Sequence, residues 1–418
     1  ALKAVRYNNA SDNPDLADRL INITVNDGGN NSNTTVATIS IDSANDAPTF
    51  NATNGVLTIV TNANTNSFTI TGGEGVLSHY FNDLESGQVG LNAAPTNISS
   101  SLASISATST GAGNVGTVGN LTIQDNSTRG GSFSIVATDG TNSSTATTVA
   151  LNNNATSTST LSAAASGDSI IYNSSTSDSR LNGGAGNDYV IGNAGNDSIT
   201  GGIGADTLTG NGDIDTFIFA AGDSSYAITG SGDNGVISGF DIITDYQTGG
   251  TQDILDIPGA AREGNSINSN GNDSTLTINS NSIISHGFNG RIITFNTANG
   301  NNNVAIDSES DIAAATQYLQ RQDWGDAGAS VAFNATINGV AHAFVYTQLD
   351  DRLPSSSNLI ALRGVVLNEL KDGSDQGAGK AFVTPIALDL NHSGVSYLSQ
   401  DAGVAFDYNN DGIAESTA

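Results

Sequence analysis

The chain has no cysteine, no methionine, one tryptophan and only 12 basic residues in 418. Each shortage removes a class of function. Without cysteine there is no thiol nucleophile and no disulfide, so a secreted fold would need another crosslinker. Lys and Arg number 12 against 41 Asp and Glu, a formal charge of −29, and such a chain repels nucleic acid and anionic membrane surfaces. No apolar run approaches the roughly 18 residues of a membrane-crossing helix. The four histidines, His79, His286, His342 and His392, are isolated, and none forms the zinc-protease pattern H-E-x-x-H. No G-x-S-x-G elbow and no phosphate-cradling glycine loop precedes a helix. The expectation is a chain without enzymatic activity.

Charged residues make up 13% of the chain, against roughly 25% in ordinary soluble domains. Asn, Ser, Thr and Gly fill the difference, as in secreted β-rich repeats. The first residues lack the basic-then-apolar pattern of a signal peptide. That fits export by a C-terminal signal and fits an excised fragment equally well.

From Gly183 to Ile218 one nine-residue phrase recurs: GGAGNDYVI, GNAGNDSIT, GGIGADTLT and GNGDIDTFI. The frame is G-x-x-G-x-D-x-U-x, with Asp188, Asp197, Asp206 and Asp215 in the acidic slot. Val190, Ile199, Leu208 and Phe217 fill the large apolar slot U. A nonapeptide in this register reads as a calcium-binding parallel β-roll, six residues turning and three forming a short strand. Successive turns fall on opposite sides, so 183–188 stacks on 201–206 and 192–197 on 210–215. Ca2+ prefers oxygen ligands in flexible loops. The candidate ligands are Gly183, Ala185, Asn187 and Asp188 in the first loop, and Gly192, Ala194, Asn196 and Asp197 in the second. Gly201, Ile203, Ala205 and Asp206 follow in the third, then Asp213 and Asp215 in the fourth. The carboxylates pair as Asp188 with Asp206 and Asp197 with Asp215. Burying one apolar side chain per nonapeptide contributes about 1.5–3 kcal/mol. Ordering the backbone of its nine residues costs about 1–2 kcal/mol per residue. Burial alone therefore loses, and folding is expected to be coupled to ion binding.

These repeats resemble the RTX (repeats-in-toxin) proteins of Gram-negative bacteria, in particular long surface adhesins and serralysin-like C-terminal regions. The resemblance implies type I secretion, passage outward unfolded, and folding in external calcium at the cell surface. The expected fold is mainly β: tandem immunoglobulin/cadherin-like β-sandwiches, then the parallel β-roll, then a small α/β cap domain. A host or surface glycan or protein, or further copies of the chain, would be the partners of such an adhesin. A surface-layer or filament subunit, and the non-catalytic part of a secreted protease, are the competing readings.

The rest of the chain divides by composition. Residues 1–46 resemble the closing strands of a cadherin-like repeat, and Ser43–Phe50 (SANDAPTF) resembles a calcium-binding interdomain linker. An ordinary Asn-Asp-Ala-Pro turn explains the same residues. Residues 47–152 alternate apolar and polar between Gly/Asn/Ser turns and read as an immunoglobulin-like sandwich, with His79, Tyr80, Asp83 and Glu85 in a loop. Residues 153–258 hold the roll, and Ser166–Asn173 (SGDSIIYN) reads as a degenerate first coil capping its end. The acids Asp241, Asp245, Asp253 and Asp256 follow the repeats; by resemblance the segment closes the roll, and Asp245 and Asp253 are candidate calcium ligands. A solvated strand face is the alternative.

Residues 259–382 resemble the α/β domain that ends many RTX chains. One helix is expected over Ser308–Gln320, with Ser308 as N-cap and Asp311 three residues on. A hairpin should turn at Asn338-Gly339. His342 and Trp324 read as structural. The tail, 383–418, carries two phrases with oxygen side chains at calcium-loop positions 1, 3 and 5. The first is Asp389, Asn391, Ser393; the second is Asp407, Asn409, Asp411, with Glu415 beyond. Asx-turns explain both equally. The tail also resembles the opening of a calcium-dependent self-processing module that cuts an Asp-Pro bond. Here the pair is Thr384-Pro385, which lacks the carboxylate nucleophile. The protein should therefore keep its intact mass after hours in millimolar calcium; two products split at 384/385 would overturn this.

Overall fold

A computed structural model describes residues 17–40, 46–52, 55, 57–63, 67–70, 76–77, 80–82, 90–91, 97–98, 102–107, 120–125, 130–139, 141–154, 160–163, 166–248, 252–258, 260–261, 276–278, 280–289, 291–297, 303–321, 329–349, 357–372, 380–385, 396–400 and 403–407. The protein is mainly β, with a large sheet rich in parallel pairs. It divides into two compact units, Ala1–Asp213 and Ile214–Ala418.

The first unit begins with an antiparallel pair, Arg19–Ile23 against Thr35–Ile39. Beyond it the strand Leu57–Thr61 lies between two parallel neighbours, Thr147–Asn153 and Asp168–Tyr172. Gly130–Ile135 flanks Thr147–Asn153 antiparallel. Ser67–Ile70, Leu121–Asp125 and Leu102–Ala107 form a separate antiparallel sheet. The alternating residues of these strands meet in one apolar cluster that includes Leu57, Ile59, Ile123, Phe133, Val149 and Ile170. Such burial is the main favourable term for this part of the chain.

The roll of the first unit has two sheets of parallel strands. Asp168–Tyr172, Tyr189–Asn193 and Thr207–Asn211 form one. Thr160–Ser162, Arg180–Ala185 and Ser198–Ile203 form the other. Within each sheet the register of the repeats advances by two nonapeptides: Val190 pairs with Leu208, and Leu181 with Ile199. Val190, Ile199 and Leu208 are fully buried, because alternation along each strand turns the apolar slot inward. The strands exceed the expected three residues. The loops pair as well, Gly184 with Gly202, Ala185 with Ile203 and Asn193 with Asn211, so strand geometry continues into the turns.

In the second unit a sheet runs in the order Asp241–Ile243, Asn358–Arg363, Val340–Thr347, Ala329–Ile337, Ile292–Asn296, Ser285–Asn289. The helix Glu309–Arg321 packs onto it through Ile312, Ala315, Tyr318 and Leu319. Its start is a reciprocal cap: Asp311 N–H donates to Ser308 Oγ at 3.2 Å, and Ser308 N–H donates to Asp311 Oδ2 at 3.0 Å. The 329–337 and 340–347 strands join through Asn338 and Gly339 at φ 51° and 77°, the positive angles of a type I′ turn. His342 stacks on Phe344, and Trp324 lies outside the described residues. A second sheet orders Thr216–Ile218, Ile254–Ile257, Lys380–Pro385 and Glu369–Asp372, all parallel. No helix among the described residues is long and apolar enough to cross a membrane.

Candidate metal centre

The candidate site is built from the turns of the roll. In the 183–188 loop, Gly184 and Gly186 take φ of 101° and 134°, and in the 201–206 loop Gly202 and Gly204 take 106° and 150°. L side chains resist these values. The fourth repeat also takes positive φ at these two positions, with Asn211 at 73° and Asp213 at 71°, residue types that tolerate the left-handed region better than most. Its glycine has moved to Gly212, where an added Cβ would find no atom nearer than 3.9 Å.

The tight turns fold each aspartate back over the first glycine of its own loop. A Cβ on Gly183 would lie 2.5 Å from both Asp188 Oδ2 and the Gly201 carbonyl oxygen. One on Gly192 would meet the Gly210 carbonyl and sit 2.8 Å from Asp197 Oδ2. One on Gly201 would collide with Asp206 Oδ2. The space a side chain would need holds carboxylate and carbonyl oxygens instead.

The other carboxylate oxygen is committed to the preceding coil. Asp188 N–H donates to Asp206 Oδ1 at 2.7 Å, Ser169 N–H to Asp188 Oδ1 at 2.7 Å, and Ser179 N–H to Asp197 Oδ1 at 2.8 Å. Ala205 N–H donates to Asn187 Oδ1 at 2.9 Å, and Gly195 N–H to Asp213 Oδ2 at 3.1 Å. Asp188 Oδ2 is buried and accepts no hydrogen bond, although its side chain is only 2% exposed. Native proteins rarely leave a buried oxygen in that state. Burial raises the Asp188 carboxyl from 3.8 to about 7, with the Asp168 charge adding to the rise and the Ser169 N–H opposing it. Asp197 is raised to about 6, again chiefly by burial.

The donor set is all oxygen: one carboxylate oxygen and a carbonyl oxygen at a glycine turn. Among the described residues no three His, Cys, Asp or Glu side chains gather to hold a metal alone. Any ion here would depend on main-chain oxygens, and an oxygen-only site suits a hard cation such as Ca2+. Ala185, Ala194, Asn196, Ile203 and Ala205 lie in these loops, with Asn196 and Ile203 exposed.

The remaining predicted residues lie elsewhere. In the second unit Asp215 N–H donates to Asp253 Oδ1 at 3.0 Å and Gln247 N–H to Asp253 Oδ2 at 2.7 Å. Burial lifts Asp253 to about 6, and the charge of half-buried Asp245 contributes. Asp253 thus brackets two backbone segments with both oxygens. Asp407 ends a strand paired with Ser396–Gln400. Asn409, Asp411 and Glu415, the Asp389 loop, Ser43, Asn45, His79, Asp83 and Glu85 fall outside the described residues.

Asp168 and Asp178 were not among the candidates, although they serve the same turns. Asn187 N–H donates to Asp168 Oδ1 at 2.7 Å, and Asn196 N–H to Asp178 Oδ1 at 2.9 Å. Their only sequence signal is an acid 19 or 18 residues ahead of each loop asparagine, without the glycine frame.

Two outcomes follow. Gly183→Ala should weaken calcium-dependent folding of the roll strongly, whereas Gly212→Ala should leave it near wild type, as read by circular dichroism across a calcium titration. Equal effects would refute the crowding around Asp188. For pH, the folded, metal-free Asp188 carboxyl lies above its unfolded value, so the fold binds more protons. Its stability is fully present below about pH 4 and is lost as pH rises through about 7. By circular dichroism the metal-free chain should hold more roll β-structure at pH 5 than at pH 8, calcium should reverse that order, and Asp188→Asn should flatten the metal-free difference.

Residues 181–217 match the family model of the RTX calcium-binding nonapeptide repeat, in 4 copies. No curated protein and no solved structure matches the chain. The match covers the stretch that the geometry singles out, and the protein carries RTX-type calcium-binding repeats.

Proposed function

We propose that the protein is the calcium-binding segment of a secreted RTX surface adhesin and folds on meeting calcium outside the cell. The observation that carries this reading is the buried Asp188 Oδ2, without a hydrogen bond beside the crowded glycine turn. A divalent cation would satisfy that oxygen and offset the cost of burying its charge. Asp188 and Asp206 would supply side-chain oxygens on one side of the roll and Asp197 on the other. Carbonyl oxygens of the glycine loops would complete each set. The bound ion contributes charge neutralisation and crosslinking, the role disulfides play in other secreted chains.

The export route follows from the same chemistry. Where calcium is scarce, 41 acids against 12 bases repel one another and keep the roll open. In the millimolar calcium outside, about the range of extracellular modules, the loops close. In this reading the role is structural rather than catalytic. Regions 1–46 and 47–152 act as spacers ahead of the roll at 153–258. Region 259–382 follows it as an α/β domain, and Asp407, Asn409, Asp411 and Glu415 would supply a further ion site. The partner would be a surface glycan or protein.

A calcium titration monitored by far-UV circular dichroism tests this. The wild type should gain β-structure with calcium, and the Asp188→Ala/Asp206→Ala variant should show a smaller or right-shifted gain. A roll that stays compact and protease-resistant after exhaustive chelation would overturn the reading.

A further inference from the structure

We infer that the apolar β-region around Leu57–Thr61 is a preformed template on which the calcium-dependent coils assemble. The inference rests on the calcium-coupled folding proposed above and adds where that folding starts.

A stack of parallel coils has a starting problem. The first coil must be ordered before any neighbour exists to pair with it, and each parallel pairing closes a long connection before it gains hydrogen bonds. Interactions in such stacks run between nearest neighbours, so the ends decide whether the array forms. Here the N-terminal end is not open. The strand Leu57–Thr61 pairs with Asp168–Tyr172 over five positions, from Leu57 opposite Asp168 to Thr61 opposite Tyr172. Its other edge is already paired with Thr147–Asn153. The first coil therefore docks onto a strand held by neighbours outside the roll, in the sheet that the roll strands continue.

The contacts at this junction need no ion. Asn62, buried, donates from Nδ2 to Asn173 Oδ1 at 2.9 Å. Its own Oδ1 accepts from Ser174 N–H at 2.8 Å and from Ser174 Oγ at 3.0 Å. The buried Tyr80 hydroxyl donates to the Ser169 carbonyl at 3.2 Å. Ile170 of the first coil belongs to the same apolar cluster as Leu57, Ile59, Phe133 and Val149. One coil further on, Asp168 and Asp178 bind the loop N–H groups of Asn187 and Asn196 directly. Only from Gly183 onward do the glycine–aspartate loops repeat.

The two regions also differ in what sustains them. The template side holds a cluster of large side chains drawn from many strands, enough to order itself by burial. The repeats add one large buried apolar residue per nonapeptide and a carboxylate whose second oxygen finds no donor at Asp188. The first should fold in the absence of calcium, and the second should be added to it when calcium arrives.

Amide hydrogen exchange of the full chain, read by mass spectrometry across a calcium titration, tests this. Without calcium, peptides covering 57–61, 121–125 and 147–153 should be protected while those covering 189–193 and 207–211 exchange freely. With calcium the latter become protected. Asn62→Ala and Tyr80→Phe should shift the calcium midpoint of the 189–193 peptide upward by about threefold or more, the effect of losing one or more buried hydrogen bonds. Ser104→Ala, on an exposed contact to Gln124, should not. If Asn62→Ala loses protection at 121–125 it has unfolded the template itself, and Tyr80→Phe with the wild-type order of protection decides. Exchange at 57–61 and 147–153 as fast as in the roll without calcium would overturn the inference, as would an unchanged midpoint in Tyr80→Phe. Failure of calcium-coupled folding looks different: the roll peptides would be protected without calcium or unprotected at every concentration. That result removes both readings together.

Discussion

A carboxylate held against a glycine turn is the constraint from which the roll is built. The turn must be tight enough for Asp188 Oδ2 to occupy the place of the missing Gly183 side chain. That tightness removes the oxygen from water, and burial then lifts the carboxyl to about 7. A group in this state is an acid waiting for either a proton or a metal ion. A divalent ion at such an oxygen would bring two charges and accept several oxygens at once.

The two oxygens of each aspartate have separate duties. Oδ1 accepts a main-chain N–H from the coil before it, as Asp206 does from Asp188 and Asp197 from Ser179. This links each coil to the next without any ion. Asp188 Oδ2 faces its own glycine turn and accepts no hydrogen bond. Removing the side chain therefore breaks both the link along the stack and the local site. The second unit is stabilised differently. Its sheet and helix enclose an aromatic group in which Phe295, Phe333, Phe344 and Tyr318 touch edge-on or stacked, with the helix anchored by Ser308 and Asp311. Large side chains supply there what an ion would supply in the roll.

Much of this could be read along the chain because it is local. The nonapeptide period, the buried slots at Val190, Ile199 and Leu208, the cap at Ser308 and the Asn338-Gly339 turn each depend on residues a few positions apart. Three features could not be read that way. The fourth repeat keeps the left-handed turn with Asn211 and Asp213 while its glycine stands at 212, so a rule counting glycines misplaces the strained positions. Asp168 and Asp178 act on the repeats from outside the frame. The strand Leu57–Thr61 shows an ordinary alternating pattern, and alternation marks a strand without naming its partner.

The residue order alone therefore determined that the protein would be β-rich and would place an aspartate and an inward apolar residue in each nine. Those properties follow from short-range geometry and from charge. Only the tertiary structure decided which strand met the first coil: 57–61 lies beside 168–172. Backbone hydrogen bonds between strands are the same for every residue type. The choice of partner is made by how distant side chains pack together, and that information is spread over the whole unit.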